Sequence, residues 1–187
     1  MTLARFPRRA LRGDAELYRI HHRARGPWWF SSDGAGRFDP IGTGLGACYL
    51  AAAPLGAWVE VFREQMQLSE PAVSDRALFT VTLGTDLRLA DLTSRRALQF
   101  GVTASLGADE DYTGSHEFAA RAAEAGFAGV RYFVRHDPAQ KLYGVSLFGD
   151  PASTAGPPQA TAADAPIPQA LVEEAQARFG YRIVPAP

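Results

Sequence analysis

Residues 24–47 run through Gly26-Pro27, Ser31-Ser32-Asp33-Gly34, Gly36 and Gly42-Thr43-Gly44-Leu45-Gly46 with neither helical nor strand periodicity. So long a stretch without regular elements inside a compact domain is either functional or disordered. Trp28, Trp29, Phe30 and Phe38 decide between the two, because aromatic bulk of that size calls for burial. The segment is read as an ordered loop wrapped around a site. The elements on either side of it do not alternate regularly between strands and long helices. That argues against a doubly wound parallel sheet and for a mixed α+β domain.

The element signals are short. Glu16-Leu17-Tyr18-Arg19-Ile20 roughly alternates apolar and polar positions and predicts a strand. Cys48-Tyr49-Leu50-Ala51 predicts another, and Pro54 suits the first turn of a helix running to about residue 66. Residues 79–83 and 87–92 predict strands on either side of Gly84-Thr85-Asp86. Ser115 is placed to cap a helix through Glu124 that stops at Gly126. Residues 129–134 and 143–148 predict two strands joined around His136-Asp137-Pro138. Residues 150–168, rich in Pro, Ala, Thr and Gly, read as a linker before a last helix that ends at Gly180. The chain divides into a functional domain over 1–149 and a tail over 150–187. Leu171, Val172, Phe179 and Ile183 give that tail an apolar face to bury on the same domain.

A chain of 187 residues fits one domain at roughly 100–200 residues each and buries enough surface to need no disulfide or metal. Its single cysteine, Cys48, excludes an internal disulfide and a cysteine-rich zinc module, and points to a reducing compartment. The formal net charge of -1 gives no reason to expect direct nucleic-acid binding or membrane-surface binding. No apolar run reaches the roughly 18 residues a membrane span needs, and no signal-peptide core is present, so the expected location is cytoplasmic. Lys141 is the only lysine; codon bias accounts for that more simply than a need for guanidinium groups.

Glu60 is the most informative residue, an acid within Ala57-Trp58-Val59-Glu60-Val61-Phe62. On a helix, the small residues Gly56 and Ala57 lie one turn earlier on its own face and leave space above the carboxylate. Such a carboxylate must be paired, hydrogen-bonded or raised in pKa, and acids of that kind cluster at functional sites. A structural ion pair with Arg63 or a distant arginine is the equal alternative. Arg19 sits within an apolar strand, and Arg37 follows the permissive Gly36. Two guanidinium groups converging on one pocket would hold a phosphate or pyrophosphate, although each alone reads as a surface residue. The Gly42–Gly46 run has GxGxG spacing without a strand-to-helix context, so it is no dinucleotide loop. His21 and His22 point to opposite faces of a strand, and no metal site is expected. No G-x-S-x-G elbow is present, Ser146 reads as a structural strand residue, and Cys48 reads as inert packing.

Taken in order, Tyr18-Arg19, Gly36-Arg37-Phe38-Asp39-Pro40, Tyr49-Leu50-Ala51, Glu60, Leu89-Ala90-Asp91-Leu92-Thr93, the helix 116–124 and Gly129-Val130-Arg131-Tyr132 resemble the RES domain family over roughly residues 15–149. The resemblance implies an ADP-ribosyltransferase-like split mixed β-sheet with flanking short helices. It implies an enzyme that breaks the nicotinamide–ribose bond of NAD, as a phosphorylase using inorganic phosphate or as a glycohydrolase, serving as the toxin of a toxin–antitoxin system. Transfer of ADP-ribose to a macromolecule is the alternative activity, and a binding protein for NAD or ADP-ribose the non-catalytic one. A cognate antitoxin would be the protein partner; an oligomer is compatible with the sequence. Carried onto this chain, Glu60 is the catalytic carboxylate, Arg19 and Arg37 bind phosphate groups, and Tyr49 lines the nicotinamide-ribose pocket. Tyr18, Phe38 and Arg135 complete the substrate-binding set. Val134 stands where the family's serine is expected, and Asp39 where an asparagine commonly stands.

Overall fold

Runs rich in Leu, Val, Phe and Tyr supply most of the strands of the computed structural model, which describes residues 3–186. In chain order they are β1 (Arg8–Leu11), β2 (Glu16–His22), β3 (Gly46–Ala51), β4 (Gln67–Ser69), β5 (Arg76–Thr82), β6 (Leu87–Asp91), β7 (Gly129–Phe133), β8 (Tyr143–Gly149), β9 (Thr161–Pro166) and β10 (Arg182–Val184). Eight form one sheet in the order β1-β6-β7-β8-β3-β2-β5-β9, while β4 and β10 pair separately in parallel. Within the large sheet only β6 and β7 run parallel, so the fold is mixed α+β.

The register shows where the sheet opens. β3 pairs with β8 from Gly46↔Gly149 to Ala51↔Gly144, and β2 with β5 from Glu16↔Thr82 to His22↔Arg76. Between themselves, β2 and β3 meet at a single pair, Tyr18↔Ala51. The sheet therefore splits at its centre, and the helix α1 (Pro54–Phe62) follows directly from β3 beside that split.

Pro54 opens α1 without needing its missing N–H, and Leu55, Gly56, Ala57, Trp58, Val59 and Phe62 are buried. Gly56 lets the helix approach the sheet closely: a Cβ there would lie 3.1 Å from the Ala51 Cβ. The helix ends at Phe62, one turn short of the predicted end, because Arg63 turns to φ 49° while its N–H still bonds the Val59 carbonyl. After the short helices α2 (Glu70–Ser74) and α3 (Ser105–Ala108) and the longer α4 (Thr113–Glu124), the helix α5 (Gln169–Phe179) packs Leu171, Val172 and Ala175 into the core shared with α1. Nearby, the Tyr181 hydroxyl donates to the Arg63 carbonyl at 2.7 Å.

Several elements depart from the sequence expectation. Residues 161–166 form β9, pairing with β5 through the main chain although every residue is exposed, so no alternation marked it. β1 is similarly exposed and paired to β6. Ser115 lies inside α4 (Thr113–Glu124) rather than capping it. It is buried and donates to the Leu106 carbonyl at 2.7 Å, while Asp111 accepts from the Thr113 N–H at 2.9 Å at the helix start.

Candidate active site

A cavity of about 510 Å³ occupies the split, walled by β2, β3, α1, the end of β7 and the loop that carries Arg37. Glu60 projects into it from the only charged position of α1. Its residue surface is partly open to the cavity, yet Oε1 is sealed from water and has no hydrogen-bond partner. Burial pushes the Glu60 carboxyl above the ordinary glutamate range; the Tyr132 hydroxyl donating to it, Arg63 and Arg37 pull in the other direction. Burial and Glu60 in turn hold the Tyr132 hydroxyl well above its usual range.

Arg37 faces the same space. Both its Nη1 and Nη2 atoms are buried without a partner, and its guanidinium lies 4.3 Å from the Tyr112 ring centroid. Desolvation lowers its pKa, and Arg135 acts in the same direction, while Tyr112, Asp109 and Glu60 favour its charge. Around Glu60, then, stand Arg37, Arg63, Arg135 and His136, with Glu64 and Glu110 also on the lining. Glu64 Oε2 lies 3.6 Å from His136 Nδ1. Burial keeps His136 below its ordinary pKa, with the three arginines acting in the same sense and Glu64 against them.

A latch beneath the cavity fixes the Arg37 loop. Asp39 is fully buried and accepts from the Ser31 hydroxyl at 2.7 Å, the Gly36 N–H at 3.1 Å and the Tyr49 hydroxyl at 2.8 Å. The Tyr49 oxygen also accepts from the Phe38 N–H at 2.8 Å. A Cβ on Gly36 would stand 2.4 Å from both the Asp39 Oδ1 and the Tyr49 hydroxyl, so glycine is required for space. The carboxylate of Asp39 is thus committed to the loop and is satisfied by neutral donors rather than by Arg37.

The residues singled out from sequence fall into distinct places. Tyr18, Arg19, Arg37, Tyr49, Glu60 and Arg135 all line the one cavity. Within it the Arg19 guanidinium is engaged, with Nη1 at 2.9 Å from the Cys48 Sγ and 3.5 Å from the Trp29 carbonyl. Tyr18 donates to Glu16 at 2.5 Å, and that bond pushes its pKa up to about 12. Phe38 is fully buried, its ring centroid 4.9 Å from that of Tyr132, and it packs behind the lining. Val134 points into the core with Leu142, and Ser146 is buried with its hydroxyl 3.4 Å from the Phe38 carbonyl. Sequence reasoning missed Arg63 and Glu64 as lining residues; they follow the end of α1, three and four positions beyond Glu60, and the turn at Arg63 takes them off its helical face. Tyr112 carried no signal at all. A second cavity of about 660 Å³ shares Gly107, Tyr132, Phe133 and Arg135 with the first. Among the described residues no group of three or more His, Cys, Asp or Glu stands close enough to hold a metal ion.

The RES domain family model matches residues 16–168. The chain belongs to the RES domain family. The match runs past Gly149 and through β9, so the exposed edge strand lies within the family's span. No curated protein sequence matches this RES domain. Among solved structures, a chain of the M. tuberculosis MbcT–MbcA toxin–antitoxin complex is similar with a TM-score of 0.61 and 23% identity, over 87% of this chain and 88% of that one. At that identity the likeness shows the fold: this RES domain has an ADP-ribosyltransferase-like split mixed sheet with short flanking helices. No helix among its described residues is long and apolar enough to cross a membrane.

Proposed function

We propose that this RES domain cleaves the nicotinamide–ribose bond of NAD and passes the ADP-ribose to inorganic phosphate or to water, acting as the toxin of a toxin–antitoxin pair. The observation that carries the reading is the pairing, in one cavity, of a desolvated Glu60 carboxyl with an Arg37 whose two terminal nitrogens are buried and unpaired. A dinucleotide ending in a pyridinium riboside supplies what each lacks: a cation for the carboxylate and a pyrophosphate for the guanidinium. The bound cation favours the ionised form of Glu60 against its burial.

In the proposed step the C1′–N bond breaks and its electron pair passes to the pyridine ring, so nicotinamide departs neutral and needs no general acid. Positive charge develops on the ribose C1′–O4′ unit, and the Glu60 carboxylate, already stripped of water, stabilises it more in the transition state than in the ground state. Phosphate or water then attacks C1′ through oxygen, and the nucleophile's proton passes to solvent. Arg135 and Arg63, on the wall beside Glu60, are placed to hold the anionic nucleophile or the departing product's phosphates. Arg19 and Tyr49 contribute through the shape of the wall and the loop latch, and Tyr18 through the cavity's β2 side.

The test is NAD consumption by the purified chain with and without inorganic phosphate, against Glu60→Gln. Phosphate-dependent loss identifies a phosphorylase and phosphate-independent loss a glycohydrolase; no loss in either buffer rejects both. The adjoining cavity favours a second reading, transfer to a macromolecular acceptor, which labelled NAD and lysate would reveal as label in protein or nucleic acid. For the partner, co-expression with a neighbouring open reading frame that rescues growth and co-purifies would support an antitoxin.

A further inference from the structure

We infer that the start of α4 is a clamp that aims Arg37, with Tyr112, which caps the helix, and His116, in its first turn, as positioning residues; the inference deepens the NAD reading and rests on it for the substrate. An arginine whose terminal nitrogens are buried and unpaired is held in place by something other than hydrogen bonds to those nitrogens. Two contacts do this, both from successive turns of one helix end. The guanidinium lies over the Tyr112 ring at 4.3 Å, within cation–π range. One turn on, His116 Nε2 lies 3.0 Å from the carbonyl of Gly36, the residue preceding Arg37. A carbonyl only accepts, so Nε2 carries the hydrogen.

The two clamp residues brace each other. Their rings meet edge to face with centroids 6.0 Å apart, and the His116 N–H bonds the Tyr112 carbonyl at 2.8 Å. On the opposite side the loop is fixed by Asp39 and Tyr49 through Gly36 and Phe38. The Arg37 backbone is therefore gripped between β3 and α4, and its side chain is laid on an aromatic face that uses none of its N–H donors. All of the donor capacity of the terminal nitrogens stays available to an anion entering the cavity. Holding it there in advance removes the ordering cost that a flexible arginine would meet on binding.

The experiment measures NAD turnover by the full chain and by Tyr112→Leu, Tyr112→Phe, His116→Ala and His116→Gln, together with NMR of the arginine Nε–H signals, Arg37→Lys identifying that of Arg37. Loss of the ring or of the imidazole donor should raise KM for NAD about tenfold, with a smaller change in kcat, as expected when a binding contact is lost uniformly. Tyr112→Phe, which keeps the ring, and His116→Gln, which keeps a donor, should restore most of that loss. The Arg37 signal should be ring-shifted in the wild type and in Tyr112→Phe and move in Tyr112→Leu. Wild-type KM in Tyr112→Leu, or an Arg37 signal that does not move, overturns the clamp. If the wild-type chain neither consumes nor binds NAD, the NAD reading fails by itself, and the clamp stands or falls on the Arg37 signal alone.

Discussion

Replacing Glu60 by glutamine should stabilise the protein while destroying its activity. The substitution keeps the shape and an oxygen that accepts from Tyr132, but removes the charge. In the folded chain burial outweighs Tyr132, Arg63 and Arg37 and raises the carboxyl's pKa, so the fold prefers the neutral form. The glutamine NH2 is left as unpaired as Oε1 was, so the gain comes from removing the desolvated charge, and each pKa unit by which burial raises a carboxyl is worth about 1.4 kcal/mol. A net gain of about 1 kcal/mol raises Tm by roughly 2–4 °C in a chain of this size. The gain has a defined pH course. Between the raised folded value and the ordinary glutamate value of 4.5, the folded state holds more protons than the unfolded one, so wild-type stability rises as pH falls. The advantage of Glu60→Gln is therefore full above the raised folded value and vanishes as pH drops through that window. Urea unfolding of both proteins from pH 7 to pH 4 measures it, with NAD turnover followed in parallel and expected to fall by about 10²–10³-fold. A Glu60→Gln protein less stable than wild type at pH 7 would refute the desolvation argument, and one that folds and turns over NAD normally would refute the mechanism.

Three further outcomes are expected. Gly36→Ala forces a Cβ against Asp39 and Tyr49 and should cost about 1–3 kcal/mol in urea unfolding, with KM for NAD rising because the latch carries Arg37. Val134→Ser places an unpaired hydroxyl in the core beside Leu142, so it should lower stability by about 1–3 kcal/mol without raising NAD turnover. His136 has its pKa held below the ordinary 6.5 by burial first, so its contribution to stability is present above pH 6.5 and lost as pH falls through the lowered value. Its protonation also adds a cation to the cavity; KM for NAD should fall over the same range and stay flat in His136→Gln.

Part of the candidate site was legible in the sequence. Glu60 stood out as one acid in an apolar helix, a residue that violates its surroundings, whereas Arg37, a cation following a glycine, read on its own as a surface residue and gained weight only as one of two arginines able to converge on a pocket. Arg19 shows the limit of that logic. It is equally out of place in its strand, yet its guanidinium is spent on Cys48 and Trp29, partners that only the placing of β2 beside β3 and the loop before it brings near. Asp39 stands out in the sequence only as a carboxylate where an asparagine commonly stands, and the partners that satisfy it, Ser31, Gly36 and Tyr49, lie up to ten residues away. Elements held by main-chain pairing alone, β1 and β9, leave no hydrophobic period to read. Tyr112 was invisible for a different reason: its role depends on a ring meeting a guanidinium from a loop more than seventy positions earlier.

The residues around the split sort by the sign of their energetic effect. Asp39, Tyr49, Gly36 and Ser31 satisfy one another, and disturbing them costs stability. Glu60, Arg37 and Arg63 do the reverse: an oxygen and two nitrogens are left unpaired, and Arg63 holds φ 49° where side chains are disfavoured. A fold selected for stability alone would neutralise Glu60 and place glycine at position 63. Strain of that kind is retained when the surrounding structure over-determines it, here through the Tyr181 bond to the Arg63 carbonyl and the β3 latch under Arg37. The satisfied group lies beneath the cavity, and the residues that carry the unsatisfied atoms line it. A cleft left by imperfect packing would be lined by apolar atoms and would carry no unpaired charge.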